Sequence, residues 1–150
     1  MAEVAPGPAD IVTWVPLSRR RQAERGFDQA KALALVVARE LDLPVRPMLR
    51  RHGEDAGTQA RRGGEARREA MRGRFGPVGS GPAPARVLLV DDVLTTGATA
   101  SACAAALQAD GATEISLLVA ARAVRVGLPR GYTRHGLAPG SVVARGTSPR

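Results

Sequence analysis

The sequence predicts an α/β domain with an open, mainly parallel sheet and flanking helices. Three observations predict it. A continuous apolar run, Val87, Leu88, Leu89 and Val90, suits a strand buried on both faces of a parallel sheet. A Thr/Gly-rich turn then leads into an alanine-rich stretch, residues 100–109, and on to an aliphatic run at 115–121, so that residues 87–121 read as one βαβ unit. The composition agrees: aromatic residues make up only 3% of the 150, so the core must be built from Val, Leu and Ala, which divide between strands and helices.

The other elements follow in order. Residues 1–9, with Pro6, Gly7 and Pro8, read as a flexible leader, and one domain is expected over 10–126. Residues 11–15 are an apolar, β-branched strand ended by Pro16, and 17–27 read as a polar loop carrying Arg19, Arg20, Arg21 and Arg25. Asp28 suits the N-cap of a helix whose apolar stripe is Leu33, Val36, Val37 and Leu41, and Pro44 forbids its continuation. A second strand is expected over 45–51, at an edge or starting late at Met48 because Pro47 interrupts it. Residues 53–74 are expected to form a mobile basic loop containing Arg61, Arg62, Arg67 and Arg68, with a helical turn around 65–71. After Phe75 the Gly/Pro-rich stretch to Ala85 reads as a linker, Gly111 closes the alanine-rich helix, and 127–150 reads as a Gly/Pro/Arg-rich tail.

Charge narrows the ligand class. There are 22 Lys+Arg against 14 Asp+Glu, a net charge of +8, and every basic residue except Lys31 is arginine, whose forked guanidinium suits phosphate. The plainer alternative is a solvated, arginine-rich surface. The single cysteine, Cys103, excludes an internal disulfide and reads as a small buried thiol in its helix. His52 and His135 are isolated and lack the spacing of a metal site, and Trp14 at the end of the first strand reads as core. No run approaches a membrane span and the first ten residues lack the order of a secretory signal, so a cytoplasmic protein without membrane contact is expected.

The chemistry concentrates at residues 87–99. In open parallel sheets ligands gather at the carboxyl ends of the strands, where helix N-termini converge. Asp91 and Asp92 stand at that end, and Thr95, Thr96, Gly97, Ala98 and Thr99 follow on the way into the helix, where main-chain N–H groups and threonine hydroxyls attract an anion. Two carboxylates beside a phosphate loop would repel the phosphate unless they face another part of the same ligand. Sugar hydroxyls and a magnesium ion meet that requirement: the acids accept from ribose hydroxyls while the loop holds a 5′-phosphate. The pattern is neither a Walker loop nor a dinucleotide fingerprint. The structural alternative is a buried strand ending in an Asp-initiated turn, with Thr99 capping the next helix.

The stretch VLLVDDVLTTGAT closely resembles the phosphoribosyl pyrophosphate signature of type I phosphoribosyltransferases. VPLSRRRQAERGFDQA at 15–30 resembles a basic motif of the ComF family, amidophosphoribosyltransferase-like proteins linked with bacterial competence, and TQARRGGEARREAMRGRF at 58–75 is similar to a second. The resemblance covers about residues 11–123 and implies a Rossmann-like, type I phosphoribosyltransferase fold. It implies that Asp91 and Asp92 bind the ribose hydroxyls and act in catalysis. It implies too that residues 95–99 hold the 5′-phosphate, and that Arg19, Arg20, Arg21 and Arg25 lie near the pyrophosphate. Arg61, Arg62, Arg67 and Arg68 fall where this fold has a flexible loop that closes over the reacting centre. Three departures stand out: Asp28 replaces the family's Asn, the usual N-terminal zinc module and the helical stretch after it are not found here, and residues beyond Arg125 match nothing in the family. These departures imply a truncated or degenerate copy.

The expected reaction is displacement of pyrophosphate from ribose C1 by a nucleobase or amine nitrogen, with no direct metal ligand assigned: magnesium is expected through the ligand, with Asp91 or Asp92 as the candidate contacts. The competing expectation is a non-catalytic adaptor or sensor in DNA uptake, touching single-stranded DNA by weak electrostatics or binding a partner protein. Homo-oligomers are compatible with either.

Overall fold

The computed structural model describes residues 8–53, 73–79, 81–94, 97–122, 132–136 and 142–147. In chain order the elements are β1 (Ile11–Trp14), α1 (Arg19–Arg25), α2 (Gln29–Glu40), β2 (Leu49–Arg51), β3 (Phe75–Pro77), β4 (Arg86–Leu94), α3 (Ala98–Ala109), β5 (Glu114–Arg122), β6 (Tyr132–Gly136) and β7 (Val142–Thr147). The main sheet has the order β1-β4-β5-β7-β6, and β2 and β3 form a separate two-stranded ribbon. β1, β4 and β5 are parallel, whereas β7 runs antiparallel to β5 and β6 antiparallel to β7. The α/β class and its parallel core are as the sequence indicates.

Strand alternation sorts the core into two layers. Odd-numbered side chains, including Ile11, Val87, Leu89, Ile115, Leu117 and Val119, pack with Cys103, Ala104 and Leu107 of α3 and with Met48, Leu49 and Phe75 of the β2–β3 ribbon. Even-numbered ones, Val12, Leu88, Val90 and Leu118, pack beneath α2 against Ala34 and Ala38. β4 is therefore buried on both faces: Val87, Leu88, Leu89 and Val90 are each no more than 1% exposed. The start of β4 is tied to the start of β1 by Arg86, whose Nε lies 3.1 Å from Asp10 Oδ1 and whose carbonyl accepts from the Asp10 amide at 2.9 Å.

Asp28 caps α2 as expected, its Oδ1 accepting from the Lys31 amide at 3.0 Å. The buried stripe, however, is Ala30, Ala34 and Ala38, with Leu33, Val37 and Leu41 at its flanks and Val36 pointing to solvent. Small residues at i, i+4 and i+8 let the helix axis approach the sheet, and Val36 lies about 200° around from Ala34, which removes it from the core face.

Other expectations are corrected. Residues 17–27 are not a loop throughout, because 19–25 form α1. Arg, Gln, Ala and Glu all favour helix, and the absence of an apolar stripe hid it from periodicity. The Gln22 amide donates to the Ser18 carbonyl at 2.9 Å, and Gly26 at φ 71° ends the turn. The strand expected over 45–51 is divided by Pro47, which cannot donate to a ladder. Upstream, Val45 makes a single parallel bridge to Val12 on the outer edge of β1, and downstream Leu49–Arg51 pairs with β3. Phe75–Pro77 is thus a strand where the linker was expected to begin. Residues 127–150 are not a tail throughout: 132–136 and 142–147 extend the sheet. Their mixed Gly, Arg and Thr content hides the period-2 signal that an edge hairpin needs. The expected leader lies mostly outside the described residues, as does most of the basic loop with its helical turn.

No helix among the described residues is long and apolar enough to cross a membrane. From the packing we predict that Leu117→Ala, at a fully buried site, costs about 3 kcal/mol in urea unfolding. Leu35→Ala, at a site 48% exposed on α2, changes stability by less than about 0.5 kcal/mol.

Candidate functional site

β1 ends at Trp14, opposite Val90, while β4 and β5 run on past it, and the start of α3 joins the carboxyl ends of the strands there, so the site is built where the topology directs it. β4 does not stop at Val90. It continues through both acids to Leu94, with Asp91 opposite Val119 and Val93 opposite Ala121 of β5. Asp91 is therefore held by ladder geometry, and Asp92 is carried between the paired Asp91 and Val93.

A cavity of about 280 Å³ opens beside them. Its walls are Val15, Pro16 and Leu17 after β1, Arg25 from α1, Ala30 from α2, Arg51 from β2, Asp91, Asp92 and Val93 from β4, and Gly97, Thr99 and Ala100 at the start of α3. Gly97 is the N-cap of α3 with φ 74°, a left-handed conformation that costs a residue with a Cβ about 1–2 kcal/mol. No side chain caps the helix from that position, so Thr99 is not its cap; it stands in the first turn and faces the cavity.

The two carboxylates differ in environment. Asp91 is buried, and desolvation together with the neighbouring Asp92 pushes its pKa up to about 7, while its Oδ1 accepts from the Asp92 amide at 2.9 Å. Asp92 is partly exposed and faces Arg25, whose Nη1 is 3.5 Å from Asp92 Oδ2 and 3.4 Å from Gln29 Oε1. The site thus joins a partly exposed carboxylate, a buried carboxyl whose pKa lies near neutrality, guanidinium groups and a helix N-terminus in one hollow. Such a set suits a ligand carrying both hydroxyls and anionic groups.

Of the residues singled out in the sequence, Asp91, Asp92, Arg25, Gly97 and Thr99 come together here. Ala98 is buried and lines a separate hollow with Phe75, Ser101 and Ala102. Arg19, Arg20 and Arg21 form the first turn of α1. Thr95 and Thr96, and Arg61, Arg62, Arg67 and Arg68, lie outside the described residues. Arg51 was missed. It is half-buried in the cavity wall, its Cζ 5.6 Å from the centre of the Phe75 ring. A strand alternates its faces, so of the consecutive pair Arg50 and Arg51 one had to turn inward, and that was the available signal. Cys103 lies behind the acids in α3; burial, with Asp91 adding to it, raises its thiol well above the usual range, so it is no thiolate nucleophile. Among the described residues no cluster of three His, Cys, Asp or Glu side chains could hold a metal ion unaided.

What this fold and cavity define is an α/β protein with a polar, charge-mixed cavity at the carboxyl ends of its parallel strands. Over 116 residues the chain is 35% identical to competence protein F of Haemophilus influenzae, an alignment covering 76% of this chain and 51% of that protein. No family model matches the chain. Its motifs and this relative agree, and both support a protein of the ComF family. It spans about half the length of this curated relative.

The raised pKa of Asp91 gives a prediction with a definite sign. The carboxyl titrates near 4 in the unfolded chain and about 7 in the fold, so wild-type stability falls as pH rises between those values and the full cost applies above 7. Asp91→Asn removes that slope. The melting temperature of the variant relative to wild type should be several degrees more favourable at pH 8 than at pH 5 in magnesium-free buffer, a change on the order of 2 kcal/mol. An equal difference at both pH values would refute a buried carboxyl there.

Proposed function

We propose that this protein binds phosphoribosyl pyrophosphate with magnesium and transfers the phosphoribosyl group to a nitrogen acceptor, releasing pyrophosphate. One observation carries the reading: Asp91 and Asp92 share a cavity with the start of α3 and with Arg25 and Arg51, the combination a sugar bearing phosphates at two positions requires. The acids would accept from the ribose 2′- and 3′-hydroxyls and the first turn of α3 would face the 5′-phosphate. The arginines would neutralise the pyrophosphate.

Magnesium fits these residues. It is commonly held by one or two carboxylates plus phosphate oxygens, and two adjacent carboxylates are what the cavity supplies. When bound, it would offset the charge of the leaving pyrophosphate. The chain's own residues would orient the ribose and exclude water, while the ionised acid stabilises positive charge developing on the ring.

The second reading, a non-catalytic adaptor or sensor in DNA uptake, is favoured by the net charge of +8 and by the competence name of the relative. A steep loss of single-stranded DNA binding with salt, indifferent to phosphoribosyl pyrophosphate, would support it over the enzyme.

Asp92→Ala should abolish phosphoribosyl pyrophosphate binding in titration calorimetry with magnesium present. Unchanged affinity would defeat the proposal.

A further inference from the structure

Phe27 occupies the position just before the N-cap of α2, where an apolar side chain ordinarily folds back onto the fourth helical residue as a staple. That residue here is Ala32, which offers one methyl group. Phe27 remains 54% exposed, the most exposed of the large apolar side chains among the described residues. Its backbone is nonetheless fixed on both sides: Gly26 turns through φ 71° before it, and Asp28 is pinned to the Lys31 amide after it.

The place of this ring gives it meaning. Arg25, two residues before, reaches Asp92, and Ala30, three residues after, lines the cavity wall. Val93, also apolar and 45% exposed, lines the same cavity from the end of β4. At about 280 Å³ the hollow lies at the small end of ligand pockets, with room for one sugar and its phosphates. A second reactant must stand at the mouth.

We propose that Phe27 is the platform on which a planar nitrogen heterocycle stands as acceptor, with Val93 as its apolar border. The proposal deepens the phosphoribosyl-transfer reading and rests on it. A flat ring gains by stacking on an exposed aromatic face, whereas ammonia gains nothing from one. In the step so positioned, the lone pair of a ring nitrogen forms the bond to ribose C1. The bond from C1 to the pyrophosphate oxygen breaks with its electron pair leaving on pyrophosphate, and the proton of the ring nitrogen passes to water.

The test compares wild type, Phe27→Ala and Phe27→Trp in the full chain. Calorimetry reads phosphoribosyl pyrophosphate binding with magnesium, and a pyrophosphate-release assay uses adenine, hypoxanthine, guanine, uracil and ammonium as separate probes. The expected result is release with at least one base, with KM for that base raised roughly tenfold by Phe27→Ala and restored by Phe27→Trp. Phosphoribosyl pyrophosphate affinity and melting temperature should stay as in wild type. Release with ammonium alone, no release with any base, or an unchanged KM in Phe27→Ala overturns the platform while intact phosphoribosyl pyrophosphate binding leaves the earlier reading standing. Absence of that binding in wild type overturns both.

Discussion

Burial of β4 on both faces is the constraint from which the rest of this molecule follows. A strand with Val87 to Val90 almost wholly hidden must be covered by α2 on one side and by α3 with the β2–β3 ribbon on the other, and it must have paired neighbours on both edges. Polar residues can enter such a strand only where the covering layers end. Asp91 and Asp92 stand at that boundary, which is why one is buried and the other is partly open. The same strand that organises the core therefore also carries the acids of the cavity, and their backbone cannot shift without disturbing the ladder to β5.

Burial and the neighbouring Asp92 together raise the cost of ionising Asp91. Arg25 lies within reach of Asp92, a contact too exposed and too long to stabilise the fold by much, but enough to place a guanidinium over the cavity. Asp91 faces α3 and has Cys103 in its surroundings, and its proton is retained near neutral pH because burial outweighs the two amide bonds that favour the anion. Two identical residue types thus differ in environment through position alone.

Much of this was legible from the residues. The apolar run at 87–90, the alanine-rich helix after it and the Asp28 cap are local signals that tertiary packing reinforces, and the acid pair followed by Gly97 and Thr99 lines one cavity. What escaped was set by contacts with distant parts of the chain. α1 is polar all round and carries no stripe for periodicity to find. The inward face of α2 is made of alanines, because distance to the sheet outranks side-chain size. Arg51 owes its place in the cavity to the register of a three-residue strand with β3, far away in sequence. The strand pair β6 and β7 owes its place to the edge of β5 rather than to its own composition.

That strand pair ties the far edge of the sheet to the acids in a way its sequence does not announce. Asp91 pairs with Val119, Val119 with Val142 and Val142 with Gly136, so a single row of main-chain partners runs from the carboxylates to the tip of β6. At the usual spacing of strands this row is about 14 Å long. Its register depends on amide and carbonyl groups that every residue except proline carries, so side chains along it can change over evolutionary time while the alignment of the row persists.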